Sequence, residues 1–217
     1  MTGTEIGQDQ PRPAIVADIP AIVEIHQAAF ADAFLTRLGS PFLRKYYQAV
    51  LSYDGGILLV SQGQPGLKGF VAGFLRPREF YRRMRQSRWT FVGPTIWALV
   101  RDPSLFARVI YNVRRIGKSA PNTSSNRCEL SSIAVRPDCS GKGVGKRLAN
   151  AFLEQAWAKG AQCVYLTTDA RANDATNMFY GRLGFQVRKR FEQYHGRVMN
   201  EYVIDRVPQL ALDGRSS

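Results

Sequence analysis

The sequence is poor in the residues that build disulfide and metal frameworks. It has 3 cysteines and 2 histidines among 217 residues. Cys128, Cys139 and Cys163 form no CxxC pair, and His26 and His195 lie far apart. That pattern argues against a disulfide framework and against a zinc site. The cysteines read as small buried hydrophobes, and the composition fits a reducing cytoplasm. Long apolar runs are missing as well: stretches such as 91–100 fall well short of the ~20 residues that cross a bilayer. Residues 1–11 carry Glu5 and Asp9 and no apolar core. They are expected as a disordered lead-in, not a signal peptide. Acids are scarce, 17 against 30 Lys and Arg, for a net charge of +13. Most of that excess is local, with twelve Lys or Arg against Glu79 and Asp102 between Arg76 and Arg127. A general nucleic-acid surface needs no such confinement, so no nucleic-acid partner is expected.

What remains is an ordinary globular composition, 45% hydrophobic, on a chain long enough to bury one core. Residues 15–16 give a short strand signal. Asp18 is expected to cap a helix in which Ile22, Ile25 and Ala29 recur at helical spacing. Ser40-Pro41 starts a second helix, with Phe42, Leu43, Tyr46, Tyr47, Val50 and Leu51 on its apolar face. Residues 56–61 and 67–75 read as the strands of a hairpin. Segments 81–84, 96–100 and 105–116 read as short amphipathic helices of an insertion between two strands. The order then resumes with strand 127–135, helix 144–159 stopped by Gly160, strand 162–168 and helix 173–184. Strands 185–194 and 197–206 follow, joined at His195-Gly196. The expected organisation is one α/β domain over 12–206, with 76–126 as a basic helical insertion and 207–217 as a tail.

The run Ser140-Gly141-Lys142-Gly143-Val144-Gly145 falls between a strand and a helix. Three alternate glycines let the backbone approach a ligand and turn its N–H groups inward. The helix start behind them adds a positive dipole end, so the run suits a pyrophosphate. Lys142, Lys146 and Arg147 add charge. It is not a P-loop, because Ser140 stands at the first glycine and Arg147 follows the lysine. It is not a dinucleotide fingerprint, because the third glycine would fall on Lys146 or Leu148. Taken alone, it is equally a plain glycine-rich turn.

Its neighbours add more. The stretch Glu129-Leu-Ser-Ser-Ile-Ala-Val135, then Arg-Pro, then the glycine run, then Leu148, resembles the acetyl-coenzyme A site of the GNAT superfamily of N-acetyltransferases. Asn173 followed seven residues later by Tyr180, in a segment that closes on Gly184-Phe185, resembles the same family. Two positions depart from the family pattern: Ser140 stands where Gln or Arg is usual, and Thr176 where Ala is common. The resemblance implies a mixed, mostly antiparallel central sheet flanked by helices, and acetyl-CoA as acyl donor. It implies that Ile133, Ala134 and Val135 pair with the pantetheine arm through their backbone and polarise the thioester carbonyl. The pyrophosphate would lie on Ser140, Gly141, Lys142, Gly143, Val144, Gly145 and Lys146. Asn173 would bond the arm and cap its helix.

An alkyl ammonium has a pKa of roughly 10 and must lose a proton before it attacks. Glu129 is the candidate base, directly or through a water, with Ser131 and Ser132 able to hold that water. The plain alternative is a surface carboxylate or a salt bridge. By the same resemblance Tyr180 also contacts the cofactor, and it is the candidate general acid for the leaving thiolate, against a plain role as a core tyrosine. Asp169 either faces the acceptor or shapes its loop. The acceptor is expected to be a small-molecule amine or amino sugar, with a peptide amine or a non-catalytic CoA-binding module as alternatives. In the insertion, Arg78, Arg82, Arg83, Arg85 and Arg88 alternate with Tyr81, Met84 and Trp89. That segment is a solvated basic face over a helical cap, an anion-binding surface or a peripheral membrane contact.

Overall fold

The computed structural model describes residues 10–31, 33–64, 66–86, 126–193 and 196–207. The expected lead-in, tail, His195 and most of the basic insertion lie outside these residues. Seven strands form one sheet in the order β1-β2-β3-β4-β5-β7-β6. They are β1 (Arg12–Pro13), β2 (Gly56–Gln62), β3 (Leu67–Leu75), β4 (Arg127–Val135), β5 (Cys163–Asp169), β6 (Gln186–Glu192) and β7 (Val198–Asp205). Every neighbouring pair is antiparallel except β4 and β5.

Period-2 alternation sorts the strand side chains onto two faces, and each face has its own core. One core holds Leu58, Val60, Phe70, Ala72 and Phe74 under α1 (Ile19–Ala29), α3 (Gly39–Ser52) and α4 (Pro77–Gln86). Short α2 (Phe34–Arg37) leads into α3. The other core holds Ile57, Leu59, Val71, Cys128, Leu130, Val164 and Leu166 under α5 (Val144–Ala158) and α6 (Asp174–Arg182). Helix α5 places Val144, Leu148, Phe152 and Ala156 on that core at helical spacing. Burying a side chain such as Leu148 or Phe152 contributes about 2 kcal/mol each. Helix α5 stops where Gly160 takes φ +86°, and Ala161 N–H reaches back to the Ala156 carbonyl at 2.9 Å.

Two expectations at the N-terminal end are corrected. The strand is Arg12–Pro13, not 15–16, because Arg12 and Pro13 pair with Val60 and Leu59 of β2. Asp18 stands at the α1 N-cap position but makes no side-chain cap bond. Its carboxylate instead takes the Arg12 guanidinium at 2.7 and 2.9 Å and the Ile15 N–H at 2.8 Å. A charged partner outcompetes the helix N–H groups for the same oxygens.

Strand β4 positions the site. It pairs with β3 along its length, and a bulge falls where Ala72 faces Ser132 but Gly73 faces Leu130, so Ser131 is the extra residue. On its other edge β4 pairs with β5 only at Arg127↔Cys163, Cys128↔Val164 and Glu129↔Tyr165. Beyond that point no β4–β5 pairing occurs among the described residues, so the sheet opens between 130–135 and 166–169.

Candidate active site

The glycine run sits at one mouth of this opening. Gly141 and Gly143 take φ +75° and +74°, conformations that cost an L side chain, and Gly143 is the N-cap residue of α5. Nothing lies within 4 Å of a Cβ placed on Gly141. A Cβ on Gly145 would keep 3.6 Å from Val135 and Phe179. The first-turn N–H groups of α5, on Val144, Gly145 and Lys146, have no intrahelical acceptor by position. The loop is therefore an open cradle of backbone donors. Ser140 is exposed and donates its N–H to the Pro137 carbonyl at 3.1 Å. The Arg147 guanidinium folds onto the loop, bonding the Lys142 carbonyl at 3.2 Å and lying 3.2 Å from where a Gly143 Cβ would sit. A long cationic side chain thus reaches this loop from one helical turn further on.

Helix α6 lies beside it, with the Phe179 ring 3.6 Å from a Cβ placed on Gly145. Asn173 occupies its N-cap position, yet its side chain makes no cap bond, against expectation. Its amide donates to Thr168 Oγ1 at 2.8 Å and to the Asp169 carbonyl at 3.3 Å, tying the helix start to the unpaired end of β5. Asn177, which sequence reasoning missed, completes that anchor. Its amide donates to the Asp169 and Asn173 carbonyls at 3.1 and 2.9 Å. Its carbonyl accepts from Asn200 Nδ2 at 3.3 Å and from Tyr202 OH at 3.0 Å. Asp169 itself is bridged at both oxygens by Arg197, which assigns it to shaping the β5–β7 end.

Tyr180 is buried in the α5/α6 core beside Phe179, Phe185 and Tyr202. Burial pushes its phenol up, so it stays protonated at neutral pH. Glu129 lies on the opposite face. Tyr81, packed on the α1/α3 core, donates to Glu129 Oε1 at 2.9 Å. Tyr165 donates to Oε2 at 2.7 Å. Burial also raises Tyr81 and Tyr165, so both phenols are donors here. The neighbouring serines are held by α3: Tyr46 OH lies 2.5 Å from Ser131 Oγ. Tyr47 OH lies 2.6 Å from Nδ1 of the buried His26. Neither phenol on Glu129 was anticipated, since they lie 48 and 36 residues away in the chain.

Glu129 stands at the last β4–β5 pair, and Ile133, Ala134 and Val135 lie on β4 beyond it. The glycine run opens α5 within reach of Val135, Asn173 is the N-cap of α6 and Tyr180 lies on α6. An opened α/β sheet with a glycine cradle at a helix start is the acyltransferase architecture that the sequence resembles. The acetyltransferase (GNAT) family model matches residues 58–185, and the chain belongs to that family. Family members use acetyl-CoA as acyl donor, and the open cradle and free strand edges fit that molecule. The chain is 31% identical over 117 residues to an uncharacterised N-acetyltransferase of Methanocaldococcus jannaschii. That match takes in 51% of this chain and spans only half the length of the curated relative. Among solved structures, YncA from Salmonella typhimurium, determined with its cofactor acetyl-CoA, is 17% identical with a TM-score of 0.60. That likeness covers 95% of this chain and 99% of YncA. The ribosomal-protein-S18-alanine N-acetyltransferase of Escherichia coli is 14% identical with a TM-score of 0.56, covering 91% and 93%. These likenesses show the fold.

Of the basic insertion, α4 falls among the described residues. It turns Phe80 inward and leaves Arg78, Arg82, Arg83 and Arg85 exposed. The three cysteines are free thiols, with Cys128 and Cys163 buried and Cys139 half-buried. Among the described residues no helix is long and apolar enough to cross a membrane.

Proposed function

We propose that the chain transfers the acetyl group of acetyl-CoA to a primary amine on a small molecule or amino sugar, in the cytoplasm. The observation that carries this reading is the parting of β4 and β5 immediately after the Glu129↔Tyr165 pair. β3 pairs with one edge of Ile133, Ala134 and Val135, and the backbone groups on their other edge, toward β5, have no strand partner, so an extended pantetheine arm supplies one. The same edge offers N–H groups to the carbonyl oxygen as it gains negative charge. The cradle from Ser140 to Lys146 takes the pyrophosphate, with Arg147 standing in for the long side chain that Ser140 lacks. Asn173 keeps the arm's side of β5 in place and offers its remaining polar atom to the arm.

Glu129 takes the amine's proton, directly or through a water. A free alkyl ammonium at roughly pKa 10 gives a proton to an ordinary carboxylate only at a cost of about 8 kcal/mol. The transfer therefore accompanies bond formation, when the nitrogen becomes far more acidic. Tyr180 donates a hydrogen bond to the departing thiolate. Burial holds its phenol above the ordinary ~10, further from a thiol near ~8.5, so it steadies the thiolate as a donor while keeping most of the proton.

Thiol release from acetyl-CoA, measured against a panel of alkylamines, amino sugars and short peptides, tests the reading. Release with small amines is expected, and Tyr180→Phe should slow it about 10²-fold without changing acetyl-CoA affinity. Release with peptides alone would move the acceptor to a protein amine. Binding without release to any amine would make the chain a CoA-binding module. A wild-type rate in Tyr180→Phe would remove Tyr180 from the chemistry.

A further inference from the structure

Glu129 does not sit loose in its site. Its two carboxylate oxygens are each held by a phenol, and the two phenols come from different layers of the fold. Tyr165 is on β5, directly opposite Glu129 in the last pair before the strands part. It is fixed there by the Arg127 guanidinium, which stacks over its ring at 4.3 Å. Arg127 is itself buried 3.9 Å from Glu201, which in turn meets Lys189 at 3.5 Å. Tyr81 is on α4, the helix that opens the basic segment. Its ring is wedged edge-on against Phe74 and Phe80, with centroids 5.4 and 5.5 Å away. The groups that act on this cluster include the phenols of Tyr46, Tyr81 and Tyr165, the buried Cys128 thiol and the charges of Arg127 and Glu201. Tyr46 is already engaged by Ser131.

A carboxylate on a two-carbon stem rotates freely unless both oxygens are fixed. Two phenol bonds from opposite sides fix its plane. From this geometry we propose that Tyr81 is a positioning residue for Glu129. It holds the carboxylate in place at the parting of β4 and β5. Because it rides on α4, it also makes that placement depend on the acceptor-side segment. Tyr165, anchored by Arg127, is one half of the clamp, and Tyr81, carried on α4, is the other. The proposal rests on Glu129 being the base.

Tyr81→Phe tests it, because it removes one oxygen and keeps the ring packing. A hydrogen bond to a charged group carries a tenfold to hundredfold effect, so kcat should fall by about that factor. A carboxylate that loses a donor holds its proton more tightly, so the acidic limb of the kcat–pH profile should move up by about one pH unit. Acetyl-CoA affinity by calorimetry should stay within twofold of wild type. Tyr165→Phe should move the same limb in the same direction. A Tyr81→Phe enzyme with a lowered Tm but a wild-type pH profile would mean that Tyr81 only packs, and the proposal would be overturned. Glu129→Gln separates the two readings. If it abolishes turnover while Tyr81→Phe keeps the wild-type profile, the clamp is wrong and the base stands. If it keeps turnover, the base reading fails and the clamp loses its role.

Discussion

Gly73 is the residue on which the position of β4 rests most directly. It lies on β3 opposite the bulge, and a Cβ placed on it would come 2.1 Å from the Glu129 carbonyl oxygen. The same Cβ would meet Phe152 ring carbons at 2.5 and 2.7 Å, and Phe152 is wholly buried. Neither neighbour can swing aside as a flexible side chain would. Gly73→Ala therefore forces β4 outward by roughly 1 Å before ordinary van der Waals contact returns. Overpacking of this kind costs about 3 kcal/mol, which lowers Tm by roughly 6–12 °C in a chain of this size. The displaced residue is Glu129, so the loss is catalytic as well, since a misplacement of about 1 Å costs on the order of 10²-fold in kcat. Thermal melts fix the folded fraction, and thiol release is then measured well below Tm. Gly181→Ala is the control. It lies in α6 with nothing within 4 Å, and it should gain about 0.5–1 kcal/mol. A Gly73→Ala protein with Tm within about 2 °C of wild type and an unchanged kcat would refute the close approach and the placement of Glu129 that depends on it.

Two further outcomes follow from other parts of the fold. Arg147→Ala should weaken acetyl-CoA binding about tenfold by calorimetry, as expected for losing one charge-assisted contact, and Ser140→Arg in that background should recover part of it. Unchanged affinity in Arg147→Ala would show that the backbone cradle suffices. Burial depresses the His26 pKa to about 4 from an ordinary value of 6.5, so the native state keeps the ring neutral while the unfolded chain protonates it. Stability is therefore lost as pH falls from about 6.5 to about 4, by up to about 3 kcal/mol. Urea unfolding of wild type and His26→Phe at pH 7 and pH 4.5 should give a smaller difference in the variant, and equal differences would count against it.

Local pattern made β3 and β4 legible to the residue, because β3 is a largely apolar run after a glycine-rich turn and β4 follows a polar loop with alternating burial. The glycine run and the Asn173-to-Tyr180 spacing were legible for another reason: a backbone cradle and a helix start leave fixed signatures in the chain. Contacts between distant segments leave none. Asp18 carried a cap signature, and only the fold shows that Arg12 of β1 takes its carboxylate. Asn173 carried the same signature and turned to β5 instead. Tyr81 looked like any apolar member of an amphipathic helix. Tyr165 gave one weak hint, because Val164 and Leu166 face the α5 core while it alternates onto the other face, the one Glu129 shares. Asn177 gave none, since its partners Asn200 and Tyr202 come from β7.

In the proposed mechanism Glu129 and Tyr180 act from opposite faces of the sheet, Glu129 beside Tyr81 of the α1/α3 core and Tyr180 within the α5/α6 core. Here a sheet one strand thick stands between them. Where β4 and β5 part, no pairing between them stands in the way of an arm threaded through the sheet, and in the proposed mechanism the thioester would be reached from both faces there. The amine would approach from the side of α3 and α4, where Tyr81 and Tyr165 hold Glu129. The thiolate would depart on the side of α6, where Tyr180 is held by Phe185 and Tyr202. Proton uptake and proton delivery would then fall on separate surfaces, one set by the face of β4 that Glu129 takes and the other by the helix that carries Tyr180. The bulge at Ser131 adjusts how β4 presents its edge to the gap without moving either group to the other face.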